Sequence, residues 1–302
     1  MCLFLNTIQL NIHSNPAGKQ KMRNFKLEIG GIPLIIKSCE PWFIQMIAEK
    51  YRDFALLCGL KEEGIFQTSR SSSHPPVHLQ IDIRQKESEK WNDMLDETLW
   101  VDVSYHNKKF IIRRPDLEGD IDFDNRIARV TNRAAVYSFD SFLRILYSLF
   151  LVQEGGFLLH AASVVRDGQG YLFMGKSGAG KSTIAIHSSK YTVLSDEISL
   201  VKKAGADYLV YSTPFWGEQE IKGRNYFSPL AGIYRLKQSS QLLTRKLSER
   251  EALCRLMENI LYFSREPFLT RQLFQNCTDL IQQVAIYELE FQKDSSFWNM
   301  IG

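Results

Sequence analysis

The stretch Gly175-Lys176-Ser177-Gly178-Ala179-Gly180-Lys181-Ser182 fits the pattern G-x-x-x-x-G-K-[ST]. Such a stretch is suited to holding phosphate. Glycines at 175, 178 and 180 let the backbone curl so that several N–H groups, as far as Thr183, point inward. A helix beginning there adds the positive end of its dipole. Lys181 supplies a point charge for the β and γ phosphates, and the Ser182 hydroxyl can ligate Mg²⁺. The expected ligands are ATP and Mg²⁺.

A metal-bound triphosphate calls for a carboxylate nearby, and Asp196-Glu197 closes the apolar run "TVLS" fifteen positions after Lys181. That gap holds one short helix and a direct return to a neighbouring strand, which places the acids beside the loop. Read as one continuous strand, the chain sends the two carboxylates to opposite sides. Either one takes the metal while the other orients from behind, or both reach it where the strand ends. His160, in "LLHAA", lies two short strands upstream of the loop. Lys176, Lys222 and Arg224 are further candidate anion contacts, read first as surface charges.

The elements that must position these groups fall into two parts. The first is β-rich: "FKLEIGGIPLIIKS" predicts a hairpin around Gly30-Gly31, and "PWFIQMIAEKYRDFALL" a helix from Pro41 to Leu57. "VHLQIDIR" alternates with Val77, Leu79, Ile81 and Ile83 on one face, and "LWVDVSYHNKKFIIRR" predicts a hairpin turning at Asn107-Lys108. "DSFLRILYSLFLVQEGG" predicts a helix capped by Asp140 and stopped at Gly155-Gly156. After it come "FLLHAASVV", the turn "RDGQG", "YLFM", the loop, a short helix and the strand "YTVLSDEISLVKK". From "LSEREALCRLMENILYF" onward the pattern is helical. The boundaries read as a flexible extension over 1–24, a β-rich domain over 25–139 and a phosphate-loop domain over 140–302. Met22 stands before the first strand as an alternative start.

Composition narrows the class. The 302 residues are 44% apolar, enough for a substantial core, and the net charge of +3 with pI near 8.5 argues against a nucleic-acid binder. Five scattered cysteines without a CxxC pair argue against a zinc site or a disulfide framework and suit a cytoplasmic protein. The longest apolar run, Phe142 to Val152, is too short to span a bilayer and contains Arg144, so no membrane partner is expected. Most of the aromatic content, 12% of the residues, is expected in the core, with Trp216 singled out for its place in "PFWGE".

In combination, "LLHAASVV", "MGKSGAGKST" and "VLSDEISLV" resemble the HPr kinase family, over roughly residues 155–265. The resemblance implies an α/β fold: a P-loop core of the kind shared by HPr kinase and phosphoenolpyruvate carboxykinase, behind a β-rich α+β N-terminal domain. It implies that Asp196 is the general base on a substrate hydroxyl, that His160 lies near the reacting phosphate, and that a downstream glutamate helps hold the metal. Glu218 and Glu220 in "PFWGEQEIKGR" both qualify, and Glu218, nearer the strand end, is preferred. The metal set is then Ser182, Asp196, Glu197 and Glu218, and the catalytic set Asp196, His160 and Lys181. Asp-Glu stands where the family has Asp-Asp, and "EIKGRNYF" lacks the second glycine of the family signature, which points away from HPr itself as substrate. The chain is more similar to divergent members found with ribosomally made peptide clusters. Some of those resemble lasso-peptide kinases, which act on the C-terminal serine of a precursor. The implied partner is a peptide or protein with a serine hydroxyl. A homo-oligomer is left open. A small-molecule kinase, a carboxykinase-like decarboxylase and an ATP sensor without turnover are the alternatives.

Overall fold

The computed structural model describes residues 22–56, 75–84, 100–217 and 225–301. Expectations on residues 1–21, most of the polar loop 67–76, Glu218, Glu220, Lys222 and Arg224 lie outside the described residues. Those up to Leu143 form one compact unit and those from Arg144 a second. The fold is mixed α/β with two sheets.

The first unit is built on a seven-stranded sheet in the order β1-β2-β3-β7-β6-β5-β4. Its strands are β1 (Arg23–Ile29), β2 (Ile32–Ser38), β3 (Val77–Arg84), β4 (Asp102–His106), β5 (Lys109–Arg114), β6 (Leu117–Asp122) and β7 (Ile127–Arg133). Gly30 and Gly31 both have positive φ, as do Asn107 and Lys108, which gives the two tight hairpins the right twist. β3 runs parallel to β2 and to β7, and β4 to β7 form an antiparallel meander. Alternate residues Leu34, Ile36, Leu79, Ile81, Ala128 and Val130 are buried on one face. Helix α1 (Pro41–Lys50) buries Phe43, Ile44, Ile47 and Ala48, where each large apolar side chain is worth roughly 1.5–3 kcal/mol. The helix is shorter than expected: Tyr51 leaves helical geometry and a 3₁₀ turn, Arg52–Phe54, follows.

Helix α2 (Val136–Gln153) starts a turn before Asp140, which is therefore not its cap. The Asp140 carboxylate instead accepts from Lys50 Nζ and the Tyr51 hydroxyl. Two donors to a buried carboxylate outweigh a single capping bond. Trp42 and Trp100 are exposed rather than core.

In the second unit, residues 145–152 of α2 are buried all round, and Gly155 at φ +73° stops the helix. The strands are β8 (Gly156–Arg166), β9 (Gln169–Met174), β10 (Thr192–Ser195), β11 (Ile198–Ala204), β12 (Asp207–Tyr211), β13 (Phe227–Gln238), β14 (Leu243–Lys246), β15 (Ile260–Leu261) and β16 (Ile286–Phe291). The helices are α3 (Lys181–His187), α4 (Glu249–Met257) and α5 (Pro267–Gln283), and a 3₁₀ helix, Ser295–Met300, follows β16. The long strands β8 and β13 each change partners along their length. The pairings β8–β11, β11–β12, β12–β13, β13–β9 and β9–β8 therefore close into a ring.

The end of the chain is not purely helical as expected. β16 pairs in parallel with β13, which pairs in parallel with β9. A core of Phe173, Tyr234, Leu236, Leu289, Phe291, Phe297 and Trp298 forms over these strands and includes Ile184 of α3. Trp298 donates through Nε1 to Ser188 Oγ at 3.0 Å, just past the end of α3. Arg166 donates to the carbonyls of Trp298 and Ile301 at 3.0 and 2.8 Å. The 3₁₀ segment is thus tied to α3 and to β8, and it steadies the helix that carries the loop.

Among the described residues no helix is long and apolar enough to cross a membrane.

Candidate active site

The C-terminal ends of three parallel strands meet at the loop, the usual place for a ligand in an α/β sheet. β9 ends at Met174, directly before Gly175. In β13, Arg235 is in register with Met174, and Gln238 is in register with Phe291 of β16. Gln238 donates to the Gly178 carbonyl at 2.7 Å, and Phe291 lies beneath the turn. Gly180 has φ +109°, and a β-carbon there would lie 2.6 Å from Phe291 Cζ. Only glycine fits that position. Lys181 is 9% exposed and donates to the carbonyls of Gly175 at 2.9 Å and Lys176 at 3.4 Å. Ser182 and Thr183 are half-buried, and Lys176, Ser177 and Gly178 are exposed. A cleft of about 310 Å³ runs along residues 175–179, with Arg235, Gln238, Glu258 and Asn259 opposite. That is the small end of ligand clefts.

The acidic pair sits at a break rather than within a strand. β10 ends at Ser195 and β11 begins at Ile198, while the pairing with β8 carries across: Ser195 faces Ser163 and Ile198 faces His160. The Ser195 hydroxyl makes the break. It accepts from the amides of Glu197 (3.3 Å) and Ile198 (3.1 Å) and donates to the Ile198 carbonyl at 2.8 Å. A serine side chain replaces ladder bonds here, as in an ST-turn. Both carboxylates then pack on Gly217. A β-carbon at 217 would lie 3.1 Å from Asp196 Oδ2 and 3.3 Å from Glu197 Oε2. The Gly217 amide donates to Asp196 Oδ1 at 3.1 Å. The strict alternation expected for the pair does not hold.

The two acids differ in setting. Asp196 is fully buried, whereas the Glu197 side chain is 34% exposed. His160 Nδ1 lies 3.6 Å from Glu197 Oε1, and the His160 amide donates to the Asn259 carbonyl at 2.7 Å. The His160 imidazole is the main reason that Glu197 is held below the ordinary carboxylate pKa, against the opposing effect of burial. The charges of Lys181, His160 and Arg144 add to it. His160, Asp196 and Glu197 are thereby brought together, and Ala161, next to His160, is in register with Met174, directly before the loop.

Several contributors carried no local signal. Gln238, Phe291 and Gly217 reach the site only through long-range pairing. Arg144 reads as one charge in an apolar run, and Trp216 is half-buried beside Gly217.

Among the described residues, no set of three or more His, Cys, Asp or Glu side chains is grouped closely enough to hold a metal. Mg²⁺ does not require such a cage, since it is commonly held by one or two carboxylates together with substrate phosphates and water. The half-buried Ser182 hydroxyl and an ionised Glu197 are hard oxygen donors of the right kind.

Fold and site together define a mixed α/β protein with a phosphate-loop signature. Residues 128–302, more than half of the chain, match the family described as SynChlorMet cassette protein ScmC, and the chain belongs to that family. Comparison with curated proteins finds no match. Among solved structures, the Hpr(Ser) kinase/phosphatase from Coxiella burnetii is similar at 12% identity, covering 47% of this chain and 90% of that one, with a TM-score of 0.27.

Proposed function

We propose that the second unit transfers the terminal phosphoryl group of ATP to a serine hydroxyl of a peptide or protein. One observation carries the reading: two carboxylates share a strand break, one of them lies beside His160, and the strand that carries His160 pairs with the strand that runs into the phosphate loop, Ala161 in register with Met174. The roles divide by setting. Glu197, held ionised, is a poor proton acceptor and a good ligand for Mg²⁺. With Ser182 it would hold the ion, which when bound offsets charge on the β and γ phosphates. That leaves Asp196 as the base. The hydroxyl oxygen of the acceptor attacks the γ-phosphorus, the bridging bond to ADP breaks, and the hydroxyl proton passes to the Asp196 carboxylate. Lys181 offsets the charge on the group in flight. Because Asp196 is covered, the stretch through Gly217 gives way as the acceptor binds. Tightening of a catalytic contact only in the complex is ordinary behaviour for a general base. The C-terminal serine of a lasso-peptide precursor is the first acceptor to try.

The test is transfer of label from γ-labelled ATP to serine peptides and to small hydroxyl metabolites. The reading expects labelled peptide with the wild type and at least a hundredfold less with Asp196→Asn, the low end of what general-base catalysis contributes. The amide oxygen still accepts from the Gly217 N–H, so fold and nucleotide binding persist. Full activity in that variant removes Asp196 from the base role. Label on a metabolite alone, or tight binding without any transfer, removes the peptide kinase.

A further inference from the structure

β8 runs unbroken past the site while its neighbours on both flanks change. On one flank β10 and β11 pair with it around the Asp196-Glu197 break. On the other, β9 leaves it after Met174, which faces Ala161, and β15 joins it at Ile260, which faces Leu159. Asn259 sits at that junction. Its carbonyl accepts from the His160 amide at 2.7 Å, and the residue lines the cleft along 175–179. The acids and the cleft therefore lie on opposite flanks of β8. One strand beyond β9, β13 brings Arg235 and Gln238 to the same cleft. At about 4.8 Å between strands, the acids and β13 are three spacings apart, roughly 14 Å. A triphosphate that points its γ end at Asp196 runs its other end over the loop and into the cleft.

The wall opposite the loop is set up to accept hydrogen bonds. Asn259 is 6% exposed, and its Nδ2 donates to the Arg255 carbonyl at 2.8 Å. That bond turns the amide nitrogen toward α4 and leaves Oδ1 without a hydrogen-bond partner among the described residues. A buried acceptor without a donor costs about 1–3 kcal/mol, which a fold tolerates where a ligand supplies the donor. Arg255 Nη1 donates to both oxygens of Glu258, at 2.9 and 3.2 Å. The carboxylate is thereby fixed and still has lone pairs to offer. Two fixed acceptors on consecutive residues suit a ligand with two adjacent donors. No described residue lining the cleft is aromatic, and its volume is about 310 Å³. A sugar suits such a place better than a base, which gains from an aromatic ring to stack on.

We propose that Glu258 and Asn259 accept hydrogen bonds from the 2′ and 3′ hydroxyls of the nucleotide's ribose, and so select a ribonucleoside triphosphate. This rests on the phosphotransferase reading and adds the part of the nucleotide that these side chains read. A deoxy analogue leaves an acceptor unpaired, which is how polar sites reject a ligand that lacks a hydroxyl.

Calorimetry with the magnesium complexes of ATP, 2′-deoxyATP and 3′-deoxyATP tests it. The wild type is expected to bind each deoxy analogue roughly tenfold more weakly than ATP. Glu258→Ala and Asn259→Leu should each weaken ATP and remove the preference for one hydroxyl, leaving the matching deoxy analogue within about twofold of its wild-type affinity. Glu258 is well exposed, so its variant tests the proposal even where Asn259→Leu fails to fold. Equal affinity of the wild type for all three nucleotides overturns the proposal. So does a preference kept in full by Glu258→Ala or by folded Asn259→Leu. A wild type that binds none of the three refutes the phosphotransferase reading instead, so the two failures are distinct.

Discussion

Consider an alanine in place of Gly180. At φ +109° a residue other than glycine is strained by on the order of 1–3 kcal/mol. The new β-carbon would also lie 2.6 Å from Phe291 Cζ, and 3.5 and 3.6 Å from the two neighbouring ring carbons. Phe291 is 1% exposed and packs edge-on against Phe297 at 6.1 Å, so the ring has little room to retreat. Overpacking of this kind costs roughly 1–3 kcal/mol more. The sum is about 2–6 kcal/mol, set against the loop conformation. Urea unfolding and MgATP titration of Gly180→Ala, Phe291→Leu and the double variant separate the two parts. Shortening the ring should relieve the clash and leave the backbone strain. The double variant is therefore expected to be more stable than the sum of the singles by about 1–3 kcal/mol. Additivity within about 0.5 kcal/mol would refute the claim that β16 walls the loop.

Two further outcomes are expected. The folded-state pKa of Glu197 lies below its ordinary 4.5, so its contribution to stability is complete above that pH and is lost as pH falls through the depressed value. Glu197→Gln should therefore flatten the acid limb of a urea-midpoint profile below about pH 4.5, and an unaltered limb would contradict the His160–Glu197 contact. Ser248 caps α4 in a reciprocal box with Glu251, at 3.4 and 3.0 Å. Ser248→Ala should cost about 1 kcal/mol, seen as faster amide exchange in the first turn of α4 with MgATP affinity unchanged.

Local chemistry is what the sequence makes legible. Turns at Gly30-Gly31, Asn107 and Asp167-Gly168 show because positive φ selects those residue types. The strand, glycine-rich loop and short helix around Lys181 show because a tight backbone path fixes residue identity at close spacing. The rest depends on partners distant in sequence. β16 buries Ile286, Leu289 and Phe291 without regular alternation, and its parallel place beside β13 bridges more than fifty residues. The break at Asp196-Glu197 is hidden because an apolar run on each side reads as one strand, while a single hydroxyl, Ser195, diverts the ladder. Asp140 shows the same limit at a helix end: its type fits a cap, and the donors that claim it lie 90 and 89 residues away.

Calorimetric titration of MgATP into the folded wild-type protein and Lys181→Ala tests the central claim most directly. Saturable one-to-one binding by the wild type, weakened at least a hundredfold in the variant, is the predicted outcome, because in the proposed complex Lys181 contacts the β and γ phosphates and hydrogen bonds to charged groups are worth about 1.5–3 kcal/mol each. No heat of binding from a correctly folded wild type, or equal affinity in the two proteins, would contradict it.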